Sequence, residues 1–349
     1  MKITSKIMLI AVAALASVAA VAGAMPADHV AGLAALTATP HDLSGLSLFG
    51  FGGLVVNKGN LAILNQAFNA AFKNGVGMAK PMWEKIAMSV PSKTGEEKYG
   101  WMGTTTKFRE WLGDRVVQNL TLHDYTIKNK TFENTVGVKR DEIEDDQYGV
   151  YTPLMTQLGM DAALHPDELI FALVQAGFAT PCYDGQYFFD TDHPVGPSDA
   201  PVSVSNFGGG AGTAWYLLDT SKVVKPFILQ KRRDYAFASK TNLNDDNVFF
   251  QNEFIWGADG RLNVGYGLWQ LAYASKQALD AAGYGAARSA MMSFKSDSGK
   301  PLNITPEILL VPPSLEKAAL DVVTAERLAN GADNVYRNTA KVVTCPWLA

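Results

Sequence analysis

The residues from which catalytic sites are usually built are scarce in this chain. Its 349 residues include two cysteines, Cys182 and Cys345, and five histidines. Two cysteines can pair at most once, so no disulfide framework is implied. Charged residues make up 18% of the chain and the formal net charge is −4, which leaves out the strongly basic balance of a nucleic-acid binder. No G-x-S-x-G occurs, and the stretch from His165 to Glu168 lacks the H-E-x-x-H spacing of zinc hydrolases. The run Gly208 to Gly212 has no following Gly-Lys-Ser/Thr, and Ser298-Gly299-Lys300 runs into Pro301, so neither makes a phosphate-binding loop. There is no internal repeat and no coiled-coil run.

What is present is apolar and aromatic. Hydrophobic residues are 48% of the chain, with seven Trp, twelve Tyr and seventeen Phe, enough for one large domain or two smaller ones. At the N-terminus Lys2 and Lys6 precede an uncharged run from Ile7 to Ala27 that contains the small-residue pattern Ala22-Gly23-Ala24. Taken alone, this is a secretory leader, with a membrane anchor as the second reading.

From Leu54 the patterning sharpens. Leu61, Leu64, Phe68 and Phe72 form a helical stripe, with Asn60 as cap and Asn74-Gly75 as stop. Trp83 to Val90 is a short helix or an extended arm, stopped by Pro91. Between Glu96 and Lys130 lies a two-stranded excursion with aromatic and basic residues near its tip, too thin to be stable without a surface to lie on. After the acidic run Asp141 to Asp146, Tyr151, Leu154, Met155, Leu158 and Ala162 recur at helical spacing, and Leu169, Ile170, Leu173 and Val174 continue it. Pro166 predicts a kinked helix or two helices end to end, with Asp167 and Glu168 suited to a helix start. Beyond Pro194 come a Gly-, Pro- and Ser-rich loop, Val195 to Gly212, and short strands. Expected strands are Trp215 to Asp219, Pro226 to Gln230, Val248 to Trp256, Leu262 to Trp269, Ile308 to Val311 and Lys341 to Thr344. Helices are expected over Gln277 to Arg288 and from Ser314 to Leu328. Strands and helices without regular β-α-β alternation indicate an α+β fold.

The chemical candidates are few. Asp184, Asp190, Asp192 and His193 carry donor types that suit a divalent ion. The same residues also serve as turn punctuation of a Phe-rich hairpin before Pro194, and no second ligand cluster accompanies them. Cys182 with His193 has the makings of a nucleophile and base, or of inert packing. Asp141 to Asp146 lacks the glycine and alternation of a calcium loop and reads as a solvated helix entry. Lys231-Arg232-Arg233 is a weak phosphate signal. The expectation is no catalytic residue, no metal and no cofactor. The alternative is an exported metal-dependent hydrolase built on Asp190, Asp192 and His193.

Several stretches, in order, resemble the major head subunit of Mu-like phages and prophages. They are Tyr99-Gly100-Trp101, Arg109-Glu110-Trp111-Leu112-Gly113-Asp114-Arg115, Phe132 to Asp146, His165-Pro166-Asp167-Glu168-Leu169, Tyr183 to Pro194, Trp215 to Ser221 and Leu310-Val311-Pro312-Pro313. The resemblance implies an HK97-like capsid fold with an N-terminal arm, an extended β-hairpin loop, a long spine helix, and peripheral and axial domains. On that basis residues 1–53 are a leader or an over-extended start, and 54–98 the arm and its helix. Residues 99–140 become the extended loop, 141–180 the spine helix, 181–305 mainly the axial domain, and 306–349 the return to the peripheral one. Family members begin close to Val55, so the leader-like segment conflicts with assembly in the bacterial host cytoplasm. The implied function is a structural protein that self-assembles into an icosahedral virion shell around double-stranded DNA. Its implied partners are copies of itself in hexamers and pentamers, a scaffold protein, a portal, head decoration proteins and DNA bound without sequence specificity, with no membrane. Phe108, Trp111 and Arg115 on the extended loop are the expected inter-subunit contacts, since buried aromatics and arginine dominate such interfaces.

Overall fold

The computed structural model describes residues 55–100, 125–145, 149–197, 199–327 and 331–349. The first helix, α1 (Lys58–Met78), is capped by Asn57, whose side chain accepts from the Asn60 amide. Asn60, the cap expected from sequence, lies inside it. A 3₁₀ turn at Trp83–Lys85 leads into β1 (Ala87–Pro91), so the alternatives for this stretch are both used, one after the other. β2 (Glu96–Lys98) and β3 (Thr126–Lys128) pair antiparallel at the base of the excursion. That base is anchored by a buried glutamine: Tyr99 Oη donates to Gln230, which in turn donates to the Ile127 carbonyl and Asn129.

β4 (Lys130–Lys139) was expected in the extended loop, but it is hydrogen-bonded along its whole length to a central strand. A short helix, α2 (Arg140–Glu144), carries the acidic run. The spine, α3 (Tyr151–Ala176), is one continuous helix with Pro166 inside it. Asp167 therefore lies mid-helix and is not at a helix start. It is buried, and its carboxylate accepts the backbone amides of Met82 and Trp83 at 2.7–2.9 Å. Burial pushes its carboxyl up and the two amides pull it back. Asp167→Ala leaves those amides without their acceptor. We expect it to lower the urea-derived stability by about 1–3 kcal/mol, the usual cost of orphaned buried donors; an unchanged midpoint would contradict the anchoring role.

β5 (His193–Val195) and β6 (Val202–Val204) form a hairpin, and β7 (Phe207–Gly210) takes up the glycine run. The stretch expected to be a loop thus carries strands. β8 (Trp215–Leu218) is buried at every position. β9 (Phe227–Lys240) continues through Lys231-Arg232-Arg233, and after α4 (Asp246–Gln251) the chain returns as β10 (Glu253–Tyr266). β10 alternates buried and half-exposed residues over most of its length, the signature of a sheet covered on one face. β11 (Ala272–Lys276), α5 (Ala281–Met292), β12 (Ile308–Val311), α6 (Glu316–Val323) and β13 (Lys341–Thr344) complete the chain. α6 follows a 3₁₀ turn at Pro313–Leu315, so Ser314 is not its cap, and it stops at Val323.

Two sheets result. One has the order β1-β9-β10-β4, with β1 parallel to β9 and the rest antiparallel. The other has the order β13-β12-β8-β11-β7, with β13 parallel to β12. α1 and α3 lie against the first sheet: Phe68 meets Trp256 edge to face at 5.1 Å, and Trp256 Nε1 donates to Asn65 at 2.8 Å. The two helices cross at glycines. A Cβ on Gly75 would overlap the Thr156 carbonyl, and one on Gly159 would overlap the Phe72 carbonyl. This is why α1 runs on through Gly75, the position expected to end it. A single buried cluster links the sheets through Phe188, Phe189, Trp215, Tyr216, Phe227 and Tyr266. Cys345 and Leu348, close to the C-terminus, are buried in it.

Candidate functional site

The segment between α3 and β5 turns sharply enough to fold its polar residues inward. Tyr187 pairs back with Pro181, and the Cys182 amide bonds to the Gln186 carbonyl. Phe188 and Phe189 enter the core and draw His193 in after them, stacked on Trp269 with centroids 4.0 Å apart. His193 Nδ1 lies 2.7 Å from Asp184 Oδ2, and Cys182 Sγ donates to Asp184 Oδ1 at 3.1 Å. On the far side of the ring, Nε2 is 3.2 Å from Asn206 Oδ1. The Asn206 amide is oriented by its Nδ2, which donates to the carbonyls of Phe188, Ala272 and Trp269. Both ring nitrogens therefore face oxygen atoms of buried side chains, so the ring is held at both ends. Burial pushes the Asp184 carboxyl up, but the bonds from His193, Cys182 and the Gln186 amide pull harder and leave it below the ordinary value. Burial and the Asp184 charge push the Cys182 thiol up, so it stays protonated and inert.

Cys182, Asp184 and His193 offer donor atoms within 4.8 Å of one another. Hydrogen bonds within the cluster already engage each of them, and His193 has no surface from which to meet a substrate. The arrangement fits a closed polar lock better than a metal centre. The remaining acids of the expected hydrolase site do not join it. Asp190 caps its own turn, accepting from the amides of Tyr187 and Thr191, and Asp192 is exposed. The Asp190/Asp192/His193 grouping is thus a sequence neighbourhood and not a spatial site.

A second concavity, about 350 Å³, lies between α3 and the four-stranded sheet, lined by Phe132, Leu158, Ala162, His165 and Tyr235 among others. His165 Nδ1 is 2.6 Å from Tyr235 Oη, and its ring lies 4.5 Å from that of Phe132. Burial pushes this imidazole down, and its ring shares one hydrogen bond with the tyrosine hydroxyl. This is a packing contact between helix and sheet. Phe108, Trp111 and Arg115, the expected inter-subunit contacts, lie outside the described residues. No helix among the described residues is long and apolar enough to cross a membrane. Sequence reasoning missed Asp167 as an anchor and the two crossing glycines; an acid and two glycines on otherwise apolar helices were the available signals.

An α+β body with a long continuous helix laid on a long-stranded sheet is shared with phage shells. The structure resembles the subunit in the procapsid of bacteriophage JBD30, with a TM-score of 0.75 and 44% identity, over 84% of this chain and all of that one. It resembles the JBD30 capsid subunit with a TM-score of 0.69 and 32% identity, over 85% of this chain and all of that one. These define the class: an HK97-type capsid subunit, a structural protein and not an enzyme. A family model for the Mu-like prophage major head subunit gpT matches residues 61–348, and the chain belongs to that family. It is 42% identical over 289 residues to the major capsid protein of Escherichia phage Mu, covering 81% of this chain and 95% of that protein. It is also 42% identical over 281 residues to the Mu-like prophage FluMu major head subunit of Haemophilus influenzae, covering 77% and 91%.

Proposed function

We propose that copies of this chain associate into hexamers and pentamers that close an icosahedral head around double-stranded DNA. Assembly takes place in the host cytoplasm with a scaffold protein, a portal and decoration proteins as partners. The observation that carries this reading is the match to the JBD30 procapsid subunit over the whole of that chain. The relatives' setting supports decoration too, since one JBD30 capsid is described with minor capsid protein trimers on it. In this reading α3 is the spine, and the four-stranded sheet with α1 forms the peripheral body. The five-stranded sheet, which joins β12 and β13 to β7, β8 and β11, is axial, and of residues 99–140 the part ahead of β3 reaches a neighbour while β4 stays in its own sheet. The firmly tied base at Tyr99, Gln230 and Asn129 suits a loop that must bear load from outside its own subunit. Many modest contacts repeated around a closed lattice add up to a stable container.

The full chain, expressed and viewed by electron microscopy, is expected to give capsomers or closed particles. Intact mass of the assembled subunit is expected to fall short of 37.6 kDa by the loss of the apolar N-terminal segment. Trp111→Ala is expected to lower particle yield severalfold while soluble subunit persists, because an aromatic anchor on the loop is lost. Undiminished particles would remove Trp111, and with it Phe108 and Arg115, from the contact.

A further inference from the structure

The four-stranded sheet ends in an exposed aromatic tip. Asn247, on the inner face of α4, is buried and donates to the carbonyls of Lys240 and Glu253, which closes the β9–β10 hairpin. Val248 is buried beside it, and Asn252 ends the helix in a left-handed conformation with φ 52°. The inward face of this six-residue helix is thereby used up, and the next two positions must point away. Phe249 and Phe250 are each 76% exposed, edge to face at 5.0 Å, with Leu243 also exposed nearby. Such a pair is not a scattered surface residue but a prepared contact.

Around the tip acids outnumber the bases, which are Lys139 and Lys240 at the ends of β4 and β9 and Arg140, paired with Glu144. Asp245 and Asp246 open α4. α2, with Asp141 and Glu142, is tied to the same end through Asn252, whose side chain donates to Asp141. The opposite end of the sheet is basic. Lys128 and Lys130 sit there beside Lys93 and Lys98, and Arg232 donates to the Ser92 carbonyl. Glu97, its carboxylate held down at about 2 by the Lys93 amide, Ser92 and Thr94, and Glu96, 4.0 Å from Lys128, offset two of these charges and leave the end with more bases than acids. Between the ends run the paired residues from Glu253↔Lys139 to Leu262↔Lys130, so the two patches are about 30 Å apart at strand spacing. That exceeds the screening length in physiological salt, about 8 Å, and the patches do not neutralise each other within one subunit.

We infer that the Phe249–Phe250 tip of one subunit docks on the basic end of the same sheet in a second copy, a head-to-tail contact. This rests on the shell reading above and adds to it a surface, a direction and a partner surface. Lysine and arginine heads meet the faces of the two rings, their stems cover the rings' edges, and the acidic collar supplies the complementary charge. Tip-to-tip association would bring two acidic collars together. An anionic lipid surface would meet the same repulsion. A head-to-tail contact is heterologous, so it propagates around a ring or across a lattice.

The test uses the full-length chain, with particle yield measured by sedimentation and electron microscopy. Phe249→Ser with Phe250→Ser is expected to lower particle yield at least about tenfold, as loss of an interface hot spot does. The soluble subunit should keep its circular dichroism and urea midpoint, because neither ring packs in the fold. Asp145→Lys, at the residue that ends α2, with Asp246→Lys is expected to reduce yield as well. Adding Lys128→Glu and Lys130→Glu to that chain should restore it, since both faces of the contact are then reversed. Full yield from the double Phe variant, or no rescue by the second reversal, overturns the docking; a tip that met its own kind would gain nothing from a change at the far end. Wild-type chain that never assembles would remove the shell reading and this contact together, whereas wild-type and variant chains that assemble alike remove only the contact.

Discussion

Gly159→Ala is expected to lower the stability of the soluble subunit by about 1–3 kcal/mol, the usual cost of overpacking a close-packed site. Two effects oppose each other. Alanine is the better helix former by about 1 kcal/mol, which would favour the variant if position 159 faced water. Here the added methyl meets the Phe72 carbonyl of α1, and backbone cannot rotate aside as a side chain would. The helices must separate, and α1 then loses its fit on Trp256. The steric term wins. Gly75→Ala, meeting the Thr156 carbonyl from the other side of the crossing, is expected to behave alike. The two changes share one contact, so the double variant should lose less than the sum of the singles. Urea unfolding of the four chains reads this directly. Gly159→Ala at or above wild-type stability would mean that the helices do not cross this closely.

His193→Ala is expected to cost about 3 kcal/mol, because it leaves the buried Asp184 carboxylate without its shortest hydrogen bond and opens a cavity beside Trp269. Exposed pairs such as Lys317–Asp321 and Arg337–Glu326 should contribute less than about 1 kcal/mol each. The pH dependence separates pairing from mere packing. In the wild type the Asp184 carboxyl is held below its ordinary value. Its contribution is therefore complete above the unfolded pKa, about 3.9, and is lost as pH falls through the lower folded value. Without His193 the largest opposing influence, burial, is left to raise the carboxyl. The sign then reverses, and the variant should gain stability as pH falls through that raised value. Urea midpoints measured from neutral pH down to mild acid are expected to diverge in this way. Parallel curves for the two proteins would show that His193 acts only as a ring stacked on Trp269.

Much of the fold could be read where one residue type repeats at one spacing. The apolar stripe of α3 and the run Ile308 to Val311 needed only local periodicity. Pro166 misled, because a proline's local preference for a helix start or a kink gives way when Ile170, Phe171 and Val174 on the following turns are all in the core. The glycine run at Gly208 to Gly210 looked like loop for the same reason. Its partner in β11 lies more than sixty residues away, and edge pairing at that distance leaves no local trace. Asp184 and His193 were legible as a pair of interesting residues, but their purpose was not. Whether acids near a histidine form a site or a lock depends on burial and on Asn206, which no spacing rule connects to them. The aromatic tip was hidden differently: Phe249 and Phe250 sit in a run, Val248 to Trp256, that reads as buried strand until Asn247 is seen to take the inner position.

The parallel pairing of β13 with β12 has a consequence for how copies are made. β1 waits for Phe227 to Lys231 before it has a neighbour, and β12 waits for Lys341 to Thr344. Cys345 and Leu348 then close the core from the far end of the chain. Synthesis runs from the other terminus, so this core cannot close until residues 341–348 are free of the ribosome. A polypeptide released early has an open sheet edge and an unsealed interior, and it is fodder for proteases. Where one faulty member can spoil a structure of many, a core that closes only on residues 341–348 admits only molecules that carry them.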